Sequence, residues 1–143
     1  MTPDRLAALH ARAFTDTPRP WTPAEFAAFL AEPSTILVAE DAGFAVGRVA
    51  GPEAELLTLA VEPAVRRQGT ARRLVRAFEA AAAARGAEEA LLEVAVTNGP
   101  ARALYATLGY AQVGRRRGYY ARAAAPPVDA VVLAKPLAVA ENR

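Results

Sequence analysis

After Glu55, the run Leu56-Leu57-Thr58-Leu59-Ala60-Val61 offers apolar side chains to both faces of an extended strand. Such a strand must lie in the middle of a sheet that is covered on both sides. The chain then passes through Arg66-Arg67-Gln68-Gly69-Thr70-Ala71 into an amphipathic helix expected from about Gln68 to Arg85, closed by Gly86. Ala71, Leu74, Val75, Phe78 and Ala82 fall on one stripe of that helix. A doubly buried strand, a glycine turn and a one-faced helix in succession confine the chain to a layered α/β architecture.

The turn also bears on function. A small-residue turn opening a helix leaves backbone N–H groups without partners, which is where a phosphate binds. Arg66, Arg67, Arg72 and Arg73 crowd this positive helix end, a costly arrangement unless an anion offsets it; exposed arginines on a solvated turn are the plainer alternative. A nucleoside-triphosphate loop is excluded because it needs Gly-Lys-Ser/Thr and the only lysine, Lys135, is distant. A dinucleotide fingerprint is excluded because Gly69 stands alone.

Elsewhere the local signals are clear. Thr2-Pro3-Asp4 and Thr22-Pro23-Ala24-Glu25 are helix starts, the second a full capping box, predicting helices to about Phe14 and Ala31. Phe26, Phe29 and Leu30 belong to the buried face of the second, and Trp21 is either a core anchor or part of a substrate wall. Strands are expected at 35–40, 44–50 and 54–61 in an antiparallel meander, then at 91–96, 110–113 and 130–134. Asn98-Gly99-Pro100 opens a helix bearing Ala101, Leu104, Tyr105 and Leu108. The expected fold is α/β: a mixed, largely antiparallel sheet of about six strands with helices on both faces.

With 143 residues, 53% of them hydrophobic, residues 1–143 are expected to form a single domain. A net charge of +2 does not argue for nucleic acid, and the absence of cysteine removes disulfides, thiolate metal sites and an acyl-cysteine route. No apolar run approaches the ~20 residues of a membrane span, and a charged amino terminus predicts a cytoplasmic protein. No metal is expected.

Two residues are candidates for chemistry. Glu93 interrupts Leu91-Leu92-Glu93-Val94-Ala95-Val96, and a carboxylate inside a buried strand is costly unless it is paired or faces a wet cleft. It is either a proton acceptor or an edge glutamate paired with an arginine. Tyr105 shares a face with Leu104 and Leu108, so a core aromatic stripe explains it equally well. His10 is read as a surface or helix-packing residue, and Arg115 to Arg117 as a lure for an acidic peptide or a solvated face.

From about residue 36 to 137 the chain resembles the ribosomal-protein-alanine N-acetyltransferases of the Rim-I type, within the GNAT superfamily. The resemblance runs through Leu56 to Pro63, the loop Arg66 to Arg72, Leu92-Glu93-Val94 with Asn98, Ala103-Leu104-Tyr105 through Tyr110, and Arg116-Arg117-Gly118-Tyr119-Tyr120. It implies acetyl-CoA as cosubstrate, with Leu59, Ala60 and Val61 offering main-chain groups to the acetyl-pantetheine arm. Arg67, Gln68, Gly69, Thr70, Ala71 and Arg72 would hold the pyrophosphate, and Asn98 would contact the cofactor. Glu93 matches the proton acceptor and Tyr105 the proton donor to the departing thiolate. The implied acceptor is the N-terminal α-amine of a protein, an alanine-starting ribosomal protein, attacked directly in a ternary complex. Separately, a monomer is expected.

Two departures and two alternatives accompany this. The chain starts almost at its first helix, so the family's usual first strand is expected to be missing, and Gly118 stands where relatives commonly carry asparagine. An enzyme for small amines or lysine side chains, and a coenzyme-A-binding module without catalysis, are the other readings.

Overall fold

The computed structural model describes residues 1–14, 19–66, 68–122 and 124–138. Both predicted caps form: Thr2 Oγ1 accepts from Arg5 N at the start of α1 (Pro3–Ala13), and Thr22 with Glu25 closes a capping box on α2 (Pro23–Leu30). The order continues as β1 (Thr35–Glu40), β2 (Gly43–Ala50), β3 (Glu53–Val61), α3 (Thr70–Ala84), β4 (Glu89–Ala95), α4 (Gly99–Thr107), β5 (Ala111–Tyr120) and β6 (Val128–Pro136). Among the described residues no strand precedes α1, and β1 is an edge of the sheet.

The six strands are ordered β1-β2-β3-β4-β6-β5, antiparallel except for β3 beside β4. β3 is central, as its two-sided apolar sequence requires. On one face Leu74, Val75, Phe78 and Ala82 of α3 pack with Ala45, Leu56 and Leu92, joined by Tyr105 and Leu108 at the other end. On the opposite face Leu6 and Leu9 of α1 and Phe26 of α2 close over Phe44, Val46 and Ala60. Trp21 is half-buried there and stacks on Phe29 at 4.8 Å, which makes it a core anchor.

Two features of the sheet were not expected. The strand foreseen at 110–113 runs instead over Ala111–Tyr120, carrying the whole Arg-Arg-Gly-Tyr-Tyr motif. It lies at the edge, almost entirely exposed, so no apolar alternation marked its length. Within β3, Val46 pairs with Thr58 but Gly47 pairs with Leu56, which leaves Leu57 as an extra residue. Such a bulge reverses side-chain direction along the strand. Leu56 therefore faces α3 while Thr58 faces α1, where its Oγ1 meets His10 Nε2 at 2.8 Å.

His10 thus packs inside the helix layer. It is fully buried, ringed by Phe14, Trp21, Phe26 and Phe44, and its Nδ1 accepts from Trp21 N at 3.0 Å. That bond leaves the ring proton on Nε2, which donates to Thr58.

Candidate active site

The site begins where two neighbouring strands part. β3 and β4 pair in parallel only from Glu53–Leu56 to Glu89–Leu92, although β3 continues to Val61 and β4 to Ala95. Past Leu56 the sheet opens into a wedge. A narrow cavity of about 120 Å³ lies in it, walled by the bulge residues Leu57 and Thr58, by Glu93, and by Tyr105 and Tyr120. Phe14, Leu59, Asn98 and Ala101 are shared with a larger cleft of about 850 Å³, so the two spaces adjoin.

The large cleft extends over the start of α3. Leu59, Ala60 and Val61 form one wall, and Gly69, Thr70, Ala71 and Arg72 another. Gly69 is the N-cap, with φ +80°, and no side chain caps the helix. The left-handed backbone suits glycine best, and the missing side-chain cap leaves the first-turn N–H groups clear. The positive end of a fifteen-residue helix therefore faces the cleft.

The arginines divide in their tasks. Arg73 is not offered to the cleft: it makes bonds of 2.8 and 2.9 Å to Glu40 and a further one to the Gln68 carbonyl, tying the turn to β1. Glu40 is thus the anion that offsets one of the four charges. Arg66 and Arg72 line the cleft, Arg72 steadied by Thr107 Oγ1 at 2.9 Å. Gln68 is exposed and stands outside the cleft wall, and Arg67 lies outside the described residues. Asn98 borders both cavities while its Oδ1 caps α4 by accepting from Ala101 N at 3.1 Å.

Glu93 and Tyr105, from different elements, meet in the narrow cavity. The Glu93 side chain is 13% exposed; Oε1 is 3.0 Å from Arg116 Nε, and Oε2 is buried without a hydrogen-bond partner. Glu93 therefore has its arginine, as an edge glutamate would, and its second oxygen is left over beside the cavity. Tyr105 is 6% exposed and edges onto Tyr110 at 5.6 Å. Burial, and secondarily Tyr120, raises its pKa, so the phenol keeps its proton throughout the physiological range.

Sequence reasoning left Phe14, the bulge and Tyr120 without a role here, and read Arg116 only as part of an acidic-peptide lure or a solvated face. The Arg-Arg-Gly-Tyr-Tyr motif was the signal for the last two. Gly118 adopts φ +59° inside an irregularity of β5 where Arg116 pairs with Ala130 and Tyr120 with Val128. Its N–H donates to Asp129 Oδ1 at 2.7 Å, and Arg115 binds the other oxygen at 2.8 Å. This clasp turns Tyr120 toward the wedge. Glycine and asparagine both enter the left-handed region readily, which accounts for either at this position.

Among the described residues no group of histidine or carboxylate side chains could hold a metal ion, and no helix is long and apolar enough to cross a membrane.

Comparison with known proteins agrees with this geometry. The chain is 38% identical over 125 residues to the N-alpha-acetyltransferase RimI of Mycobacterium tuberculosis, covering 81% of this chain and 77% of that protein. It is 36% identical over 105 residues to the ribosomal protein bS18-alanine N-acetyltransferase of Salmonella typhimurium, covering 72% and 70%. The crystal structure of the ribosomal-protein-S18-alanine N-acetyltransferase from Escherichia coli superposes with a TM-score of 0.83 at 29% identity, over 99% of this chain and 92% of that one. The profile of the acetyltransferase (GNAT) family matches residues 4–110, which take in the parted strands, the glycine turn and both candidate residues, and the chain belongs to that family.

Proposed function

We propose that residues 1–143 act as one acetyltransferase domain, in the cytoplasm, transferring an acetyl group from acetyl-CoA to the N-terminal α-amine of an alanine-starting ribosomal protein. The observation that carries this reading is the meeting of Glu93 and Tyr105 in the wedge beside an open helix N-terminus. The Salmonella typhimurium and Escherichia coli relatives are named for such an acceptor, the alanine of a ribosomal protein.

Gly69, Thr70 and Ala71, with Arg72, fit a pyrophosphate, through backbone N–H groups and one guanidinium. Arg67 and Gln68 complete this loop in the proposal, and Leu59, Ala60, Val61 and Asn98 line the way from it to the wedge. Acetyl-CoA supplies an activated acyl group on a thiol leaving group. Glu93 Oε2 accepts the amine's proton, directly or through one water, as the nitrogen attacks. Tyr105 O–H gives its proton to the departing sulfur, and orientation in the closed wedge does the rest without a covalent enzyme intermediate.

The experiment is release of free thiol from acetyl-CoA with a peptide beginning in alanine, which blocking the peptide's N-terminus should stop. Binding of acetyl-CoA with no thiol release across a panel of amines would favour a non-catalytic module. A second expectation concerns the turn. Gly69→Ala makes the left-handed turn roughly 1–2 kcal/mol costlier, so the free turn should relax away from it and acetyl-CoA, which must restore it, should bind about tenfold more weakly by calorimetry. Unchanged affinity would remove the turn from the binding site.

A further inference from the structure

The hydrogen bond between His10 and Thr58 has its direction fixed at the far end of the imidazole. A backbone N–H can only donate, so Nδ1, which accepts from Trp21 N at 3.0 Å, carries no proton. Burial keeps the ring neutral near pH 7, which places its single proton on Nε2, and Thr58 Oγ1 accepts it at 2.8 Å. The hydroxyl must then aim its own O–H elsewhere. Among the described residues that O–H finds no acceptor, although Thr58 is only 8% exposed and lines the narrow cavity.

The complementary atom stands across the wedge. Leu92 and Val94 of β4 pack in the layer that holds α3, so Glu93 between them faces the other side of the sheet. Thr58 faces that side too, and only because of the bulge at Leu57; regular alternation from Leu56 would have sent it toward α3. Both residues lie within two positions of Leu56 and Leu92, the last pair of β3 and β4 before the strands part. A buried donor without an acceptor and a buried acceptor without a donor, Glu93 Oε2, thus share one cavity of about 120 Å³ and are not bonded to each other. A bridging water needs at least about 10–15 Å³ and two polar partners, and the wedge provides both.

We propose, on the transfer reading given above, that Thr58 is a positioning residue holding the water through which Glu93 takes the acceptor's proton. That water accepts from Thr58 O–H and from the amine N–H, and it donates to Glu93 Oε2. As the nitrogen bonds to the acyl carbon, its proton passes to the water oxygen while one of the water's own moves to Oε2; Thr58 keeps its hydrogen throughout. Arg116 engages Oε1 and so leaves Oε2 to the water. The bulge turns Thr58 to this face, and His10 fixes which way its hydroxyl points.

The test measures thiol release by the full chain with saturating acetyl-CoA and a peptide beginning in alanine. Thr58→Val, equal in shape but without a hydroxyl, should lower kcat about tenfold, the worth of one hydrogen bond made in the transition state, with acetyl-CoA affinity by calorimetry unchanged. Thr58→Ser, which keeps the hydroxyl, should stay within about threefold of the unaltered chain. In a Glu93→Gln background Thr58→Val should cost less than about twofold, because residues acting through one proton path do not add. Should Thr58→Val fail to bind acetyl-CoA, Thr58→Cys replaces it in both backgrounds with the same fall expected, since a thiol is a poor donor. An undiminished rate without the hydroxyl, an equal loss in Thr58→Ser, or a tenfold loss that persists beside Glu93→Gln would make Thr58 a packing residue and overturn the proposal. Failure of the unaltered chain to release thiol with the alanine peptide would instead overturn the transfer reading itself.

Discussion

Glu93→Gln should lower kcat/KM for acetyl transfer by roughly 10²–10⁴, the range removed with a general base. The substitution keeps shape and hydrogen-bonding length while removing the ability to accept a proton. The loss should be steepest below the pKa of the acceptor amine, where most of it arrives protonated. Calorimetry should show acetyl-CoA binding little changed, because Glu93 lies in the wedge and away from the α3 turn. Tyr105→Phe gives the companion result, slower transfer with the cofactor still bound. Wild-type rates in both variants would leave the wedge without its proposed acid and base.

Acid should destabilise the protein through His10, by about 3 kcal/mol between pH 6.5 and 4. Burial pushes this imidazole from its ordinary 6.5 down to about 4, outweighing the attraction of Glu25. The unfolded chain therefore binds a proton in that window while the folded chain does not, so stability is fully present above pH 6.5 and falls as pH drops toward 4. The physical cause is specific: a proton on Nδ1 displaces the Trp21 N–H that it accepts, inside a cage of four aromatic rings. Glu25, Glu40, Glu62 and Asp129 are held below their ordinary values, the glutamates first by arginine hydrogen bonds and Asp129 first by the Gly118 N–H. Their loss comes mainly below about pH 4.5 and overlaps only the lower edge of this window. Denaturant melts of the protein and of His10→Gln from pH 7 to 4 should show a slope in the first that the second lacks. Parallel curves would assign the acid sensitivity elsewhere.

How much could be read from the chain beforehand depended on how local the cause was. Helix caps at Thr2 and Thr22 are settled within four residues and were legible. The centrality of β3 followed from its own composition, and the α3 turn from Gly69 and its neighbours. The bulge at Leu57 was hidden because residues on both sides of the strand are apolar, so a reversal of faces leaves no mark in the pattern. The partners of His10 and Glu93 were hidden for a different reason. Thr58 lies 48 positions from His10, and Arg116 is brought to Glu93 only by the register of an edge strand carrying three consecutive arginines. Such pairs are set by tertiary register, which no single segment encodes.

Transfer to the α-amine is tested most directly by where the acetyl group goes. A peptide with a free N-terminal alanine and one internal lysine, incubated with acetyl-CoA and the protein, should carry acetyl on its α-nitrogen alone when fragmented in a mass spectrometer. Acetyl on the lysine side chain, or none on the peptide at all, would contradict it.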